Sequence, residues 1–178
     1  RLVLPIWKDI SERLYDMLVV HEVGHALYTP YDAWMKAIND IATKHNPTPN
    51  DQHKTSVRDF LNVVEDARIE KLQKRRYPGS KPDFVIGYKE LHARDFFGIE
   101  DRNIHALPLI DRINLFFKNG AHLNLYFSKD EQGFVDLMHK AETFDDVVEI
   151  AAALYKYAVD NNDVGNSTVK SSSFSIDK

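Results

Sequence analysis

The sequence predicts a mainly α-helical domain with room for one short strand or small sheet, and three observations carry that prediction. Apolar residues recur at three- and four-residue intervals over most of the chain. Ser, Thr, Asn and Pro stand at the ends of those stretches, where helices start and stop. Only His122 to Phe127 alternates with the two-residue period of a strand.

The elements follow in order. Asp9 and Glu12 have the spacing of a capping box, and the run behind them is apolar on nearly every side: Leu14, Met17, Leu18, Val19, Val20, Val23, Ala26, Leu27. A helix of that kind is expected to be buried. Thr29, Pro30 and Asp32 read as the cap and first turn of a second helix that runs to about His45. Asn46 to Asp51 is a loop by composition. A third helix is expected from near Thr55 or Ser56 to about Arg76, with Val57, Phe60, Leu61, Val64, Ile69 and Leu72 as its apolar stripe. Tyr77 to Pro82 ends it. Further helices are expected at about 83–96, 108–119, 129–141 and 143–160, the last capped by Thr143.

A chain of 178 residues suits one domain with a substantial core, placed here at 1–160. Residues 161–178, rich in Ser, Asn and Asp, read as a mobile polar tail or linker. The sequence opens at Arg1 rather than Met, as a piece of a longer protein would. With 43% hydrophobic and 28% charged residues, the composition is that of a globular protein rather than a disordered or membrane one. A net charge of -4 gives no footprint for nucleic acid, and the short Lys71–Arg76 cluster does not change that. No apolar run approaches a membrane span. The absence of cysteine removes disulfides, thiolate metal sites and a cysteine nucleophile, and accords with a cytoplasmic setting.

Against that background His21-Glu22-Val23-Gly24-His25 stands out. Two histidines four apart on a helix are separated by about 40° and one turn, so both imidazoles reach a single ion. Glu22 lies on the flank of that face, placed to take a proton as general base without being a ligand. Two imidazoles and a carboxyl on a buried helix need partners, which favours a metal over a hydrogen-bonded histidine pair. With no thiolate available, any metal is held by His and carboxylate; ligand type and habit make zinc the expected ion, although Mn, Fe and Co also suit two histidines and a carboxylate. A third ligand is then required. Glu65 sits within the apolar stripe of the third helix, where a bare charge is costly. It meets either the metal or Arg68 three residues on, and we expect the metal, with Arg68 touching the site from behind. Asp66, or alternatively Glu70, is the candidate to orient a ligand histidine by accepting its other ring N–H.

These residues carry a resemblance. His21-Glu22-Val23-Gly24-His25-Ala26, followed by a helix bearing Asn62-Val63-Val64-Glu65-Asp66-Ala67-Arg68-Ile69-Glu70, resembles the gluzincin branch of zinc metallopeptidases over roughly residues 10–75. In that branch the third ligand is a Glu on a later helix. The resemblance implies a zincin-like helical core and hydrolysis of a peptide or protein substrate by a metal-activated water, with Glu22 as general base. Best-known gluzincins often carry an acid four residues after the ligand Glu, a position held here by Ile69. The Asn-x-x-Glu-Asp-x-Arg-x-Glu run is also similar to segments of cobalt-chelatase-like accessory proteins of bacteria and large phages. Those often carry a von Willebrand type A domain and work beside a ring ATPase. That second likeness implies an alternative: a non-catalytic, metal-stabilised interaction module partnering a chelatase-type AAA ATPase or a larger assembly. Glu22 separates the two, since a purely structural ion has no use for a general base.

A hydrolase also needs a donor for the oxyanion. Tyr28, one turn after His25, has the reach, and Tyr31, Tyr77, His92, Arg112 and His122 are alternatives. Peptidases of this kind hold substrate against a sheet edge. Here only Leu2-Val3-Leu4-Pro5 precede the cap region, so either the edge is supplied from upstream or a helical scaffold holds the substrate differently.

Overall fold

The computed structural model describes residues 7–169. Seven α-helices make up the architecture: α1 (Glu12–Tyr28), α2 (Tyr31–His45), α3 (Asp51–Arg76), α4 (Lys81–Ala93), α5 (Leu109–Asn119), α6 (Lys129–Lys140) and α7 (Phe144–Asp160). There is no strand among the described residues, so the mainly helical prediction holds. Leu2–Pro5 lie outside them.

Local chemistry explains where the helix ends differ from expectation. Ser11, not Asp9, caps α1, its hydroxyl accepting from Leu14 N at 3.0 Å; Asp9 itself is in the left-handed region at φ 60. Thr29 closes α1, and α2 starts at Tyr31 with no side-chain cap. α3 begins at Asp51, earlier than Thr55, because Asn50 and His53 form a reciprocal capping box. Thr143 caps α7 as expected. The alternating segment His122–Phe127 forms no strand. It starts in a 3-10 turn (Gly120–Leu123), Asn124 is left-handed, and the Tyr126 carbonyl accepts from Arg112 Nη1 at 2.7 Å. A lone segment without a partner cannot pair its backbone as a sheet.

α3 is the hub, packing against α1, α2, α5, α6 and α7. Two apolar cores flank it. One gathers α2, α3, α6, α7 and the start of α5 around Phe60, Leu61, Ile113, Val147 and Leu154. The other joins α1 and α4 through Leu14, Met17, Leu18, Phe84, Leu91 and Phe97. α1 is not buried all round: Tyr15 and Leu27 are exposed, and its inner stripe is Leu14, Met17, Leu18, His21, Glu22, Gly24 and His25. Close approach on both sides of α1 needs glycine. A Cβ at Gly24 would meet Gln73 Cγ at 3.1 Å and Ile69 Cδ1 at 3.2 Å on α3, and one at Gly87 of α4 would meet Met17 Sδ at 2.7 Å.

The polar segment after α7 is held over its described part. Ser167 Oγ (2.6 Å), Thr168 N (3.0 Å) and Val169 N (3.4 Å) donate to the buried Asp111 carboxylate of α5, and Val169 joins the second core. Residues 170–178 of the expected tail lie outside the described residues. No helix among the described residues is long and apolar enough to cross a membrane.

Candidate metal centre

The inner stripe of α1 lies on α3 where Asp66, Glu70 and Gln73 recur at helical spacing, all buried. Gln73 Nε2 donates to Val20 O at 2.9 Å, fixing the register of the two helices. His21 and His25, one turn apart, stand nearly edge to face with ring centroids 4.9 Å apart.

Proton placement in this cluster follows from its hydrogen bonds. His21 Nδ1 lies 3.1 Å from Glu70 Oε1. Burial opposes ionisation of Glu70, but Lys74, Lys118 and the bond from His21 hold its carboxyl well below the ordinary range, so it accepts and Nδ1 donates. That leaves Nε2 as the ring's open position, for a second proton or a metal ion. That atom is buried, has no hydrogen-bond partner, and lies 3.6 Å from Asp66 Oδ1. His25 repeats the pattern. Its Nδ1 is 3.1 Å from Thr29 Oγ1, whose single hydrogen goes to Glu65 Oε1 at 2.5 Å. The hydroxyl therefore accepts from His25 Nδ1, and His25 Nε2 faces Asp66 Oδ1 at 3.1 Å.

Two imidazole Nε2 atoms and one carboxylate oxygen thus converge, all within 4.8 Å of one another and all buried. Ligands held at about 2.0–2.1 Å in a tetrahedron are about 3.3 Å apart, a spacing that the 3.1 and 3.6 Å separations bracket. Lone pairs facing a carboxylate repel it unless a proton or a metal ion lies between them, and either can bridge His25 Nε2 and Asp66 Oδ1. The residues present fit a metal ion.

The other Asp66 oxygen, Oδ2, accepts from Lys118 Nζ of α5 at 2.8 Å. Lys118 also donates to Tyr88 OH at 3.2 Å, and Tyr88 OH in turn donates to Glu70 Oε1. Burial works against an ionised Asp66, yet Lys118, His21 and His25 hold its carboxyl well below the usual range. Glu22 stands in contrast. It is 4% exposed, its Oε1 has no partner, and burial pushes its carboxyl up to about 7, with Asp66 adding to the push and His25 opposing it. A carboxyl poised there suits a proton acceptor.

The convergence differs from the sequence expectation at one position. Asp66, expected behind a ligand, is the acid that meets both histidines, while Glu65 is taken up elsewhere. Arg68 Nε and Nη2 hold both Glu65 oxygens at 2.8 and 2.7 Å, and Arg68 is itself anchored on Tyr28 O (2.9 Å) and Glu142 O (3.2 Å). Glu65 is not idle: through Thr29 it orients His25.

No protein family, curated protein or solved structure matches this chain. Its functional reading therefore rests on the site alone.

Lys118, Tyr88 and Thr29 escaped the sequence reading. A lone lysine closing the apolar run Ile113, Leu115, Phe116, Phe117 was the available signal for the first. Among the expected oxyanion donors, Tyr28 and Tyr77 share Arg76, Tyr31 and His122 are exposed, and His92 is half-buried with Nδ1 unpartnered. Arg112 is taken up by Glu131, Leu107 O and Tyr126 O.

Proposed function

We propose that the chain is a zinc-dependent hydrolase of peptide bonds, with His21, His25 and Asp66 as metal ligands and Glu22 as general base. The observation that carries this reading is the pair of Nε2 atoms turned on one Asp66 oxygen, with, on the same helix, a buried Glu22 whose Oε1 has no partner. A bound zinc ion supplies Lewis acidity, polarising the scissile carbonyl and making a nearby water more acidic. Glu22 takes the proton from the attacking water and returns it to the departing amine. Glu70 and the Thr29–Glu65–Arg68 chain keep both rings in the tautomer that leaves Nε2 free. Four residues after Asp66 stands Glu70, an acid bonded to His21, which matches the gluzincin spacing, while the third ligand is an Asp where that branch has a Glu.

A second reading is favoured by one observation. His21, Glu22, His25 and Asp66 are at most 7% exposed, so a substrate needs an opening that a structural ion does not. In that case the chain is a metal-stabilised module for a protein partner such as a ring ATPase.

Metal analysis after chelator-free purification should give about one zinc per chain. Glu22→Gln should keep the metal and lose hydrolysis of a peptide library; parent-like cleavage by that variant rejects the mechanism. A parent that holds zinc and cleaves nothing favours the second reading.

A further inference from the structure

Three acids of α3 line the site, and each has a fixed cation. Glu65 pairs with Arg68 at 2.7 Å and Glu70 with Lys74 at 3.0 Å, both from the same helix, three and four residues on. Helical spacing alone brings such pairs together. Asp66 pairs with Lys118 at 2.8 Å, and Lys118 comes from α5. It is 6% exposed, and its neighbours on α5 include buried Leu115 one turn back together with buried Asn114 and Asn119. A buried ammonium is costly unless it is paired. The ammonium meets the one acid that both histidines face, on the oxygen turned away from them, and also lies 3.8 Å from Glu70.

We propose that Lys118 is the built-in counter-ion of the site: it stands in for metal charge at Asp66, so that the chain folds without metal and a metal ion competes with it. This rests on the metal reading given above. With Lys118 in place, the three acids are balanced by three fixed cations before any ion arrives. An incoming divalent cation then meets a positive charge across the Asp66 carboxylate, and the repulsion weakens its binding. By occupying Oδ2, Lys118 also leaves only Oδ1 turned to the histidines, a one-oxygen ligand. Lys118 acts through Asp66 and is a positioning residue.

The test is zinc affinity by chelator competition, together with melting temperature with and without zinc, for the parent, Lys118→Met and Lys118→Arg. Lys118→Met should bind zinc at least about tenfold more tightly, and zinc should raise its melting temperature more than the parent's. If this variant is unfolded without metal, it should refold when zinc is added. Lys118→Arg, which keeps the charge, should stay within about threefold of parent affinity. Unchanged or weaker zinc binding by folded Lys118→Met overturns the counter-ion role, as does a variant that stays unfolded at saturating zinc. Arg behaving like Met at this position also overturns it. A parent that takes up no zinc removes the metal reading itself, and the counter-ion role with it.

Discussion

At the scale of single residues, replacing one carboxylate oxygen by an amide at Asp66 and at Glu65 separates their roles. Asp66→Asn removes a charged ligand and should weaken zinc binding by about a hundredfold or more. Glu65→Gln unpairs Arg68 and loosens the orientation of His25 without removing a ligand, and should cost about tenfold in zinc affinity. The reverse order, read by chelator competition, would return Glu65 to the metal. Glu22 gives a pH prediction. Its folded carboxyl is raised by burial, so between about pH 4.5 and 7 the unfolded chain sheds a proton that the folded one keeps, and this group's contribution to stability falls as pH rises. Metal-free Glu22→Gln should therefore be more stable than the parent at pH 8, by on the order of 2 kcal/mol, and nearly equal to it at pH 4 in urea melts. The histidine pair and Glu22 were legible from spacing. Choosing between Glu65 and Asp66 was not, because the choice assumed one apolar stripe on a helix that proves buried on several sides, with Val63, Val64, Glu65, Asp66, Arg68, Ile69 and Glu70 all inside. Adjacent helix positions differ by about 100°, and only knowing which flank α1 covers selects one.

At the scale of elements, the spacing between α1 and α3 decides whether the ligands meet. Gly24→Val forces side-chain bulk against Gln73 and Ile69. It should cost about 1–3 kcal/mol in denaturant melts and weaken zinc binding as well. Gly133→Ala in α6 is the contrasting case: a Cβ there has nothing within 4 Å, and helix propensity should raise stability by about 0.5–1 kcal/mol. A loss of stability from Gly133→Ala would contradict that packing. The helices were legible because their apolar periods are strong and Thr143 carries a full box. Besides the caps at Asp9 and Thr55, two more local signals misled. Thr29 looks like a cap, but its hydroxyl serves His25 and Glu65, and the alternation of His122–Phe127 found no strand to pair with.

At the scale of the whole molecule, the site lies on the seam between the two cores, with its histidines on α1 and its acids on α3. A metal joining them links two apolar units that otherwise meet through packing and polar contacts. Zinc should slow amide exchange in α1 and α4 more than in α6 and α7; uniform slowing would mean that the cores already open together. The Asp111 carboxylate carries a different lesson. Its three donors, Ser167, Thr168 and Val169, belong to a stretch whose composition invites removal. A chain shortened to end at Asp160 would take those donors from Asp111 and strip Val169 from its core, a penalty of about 1–3 kcal/mol. For this protein a hydrophilic run is a poor guide to where the polypeptide can be trimmed, because here the polar atoms act as a clasp.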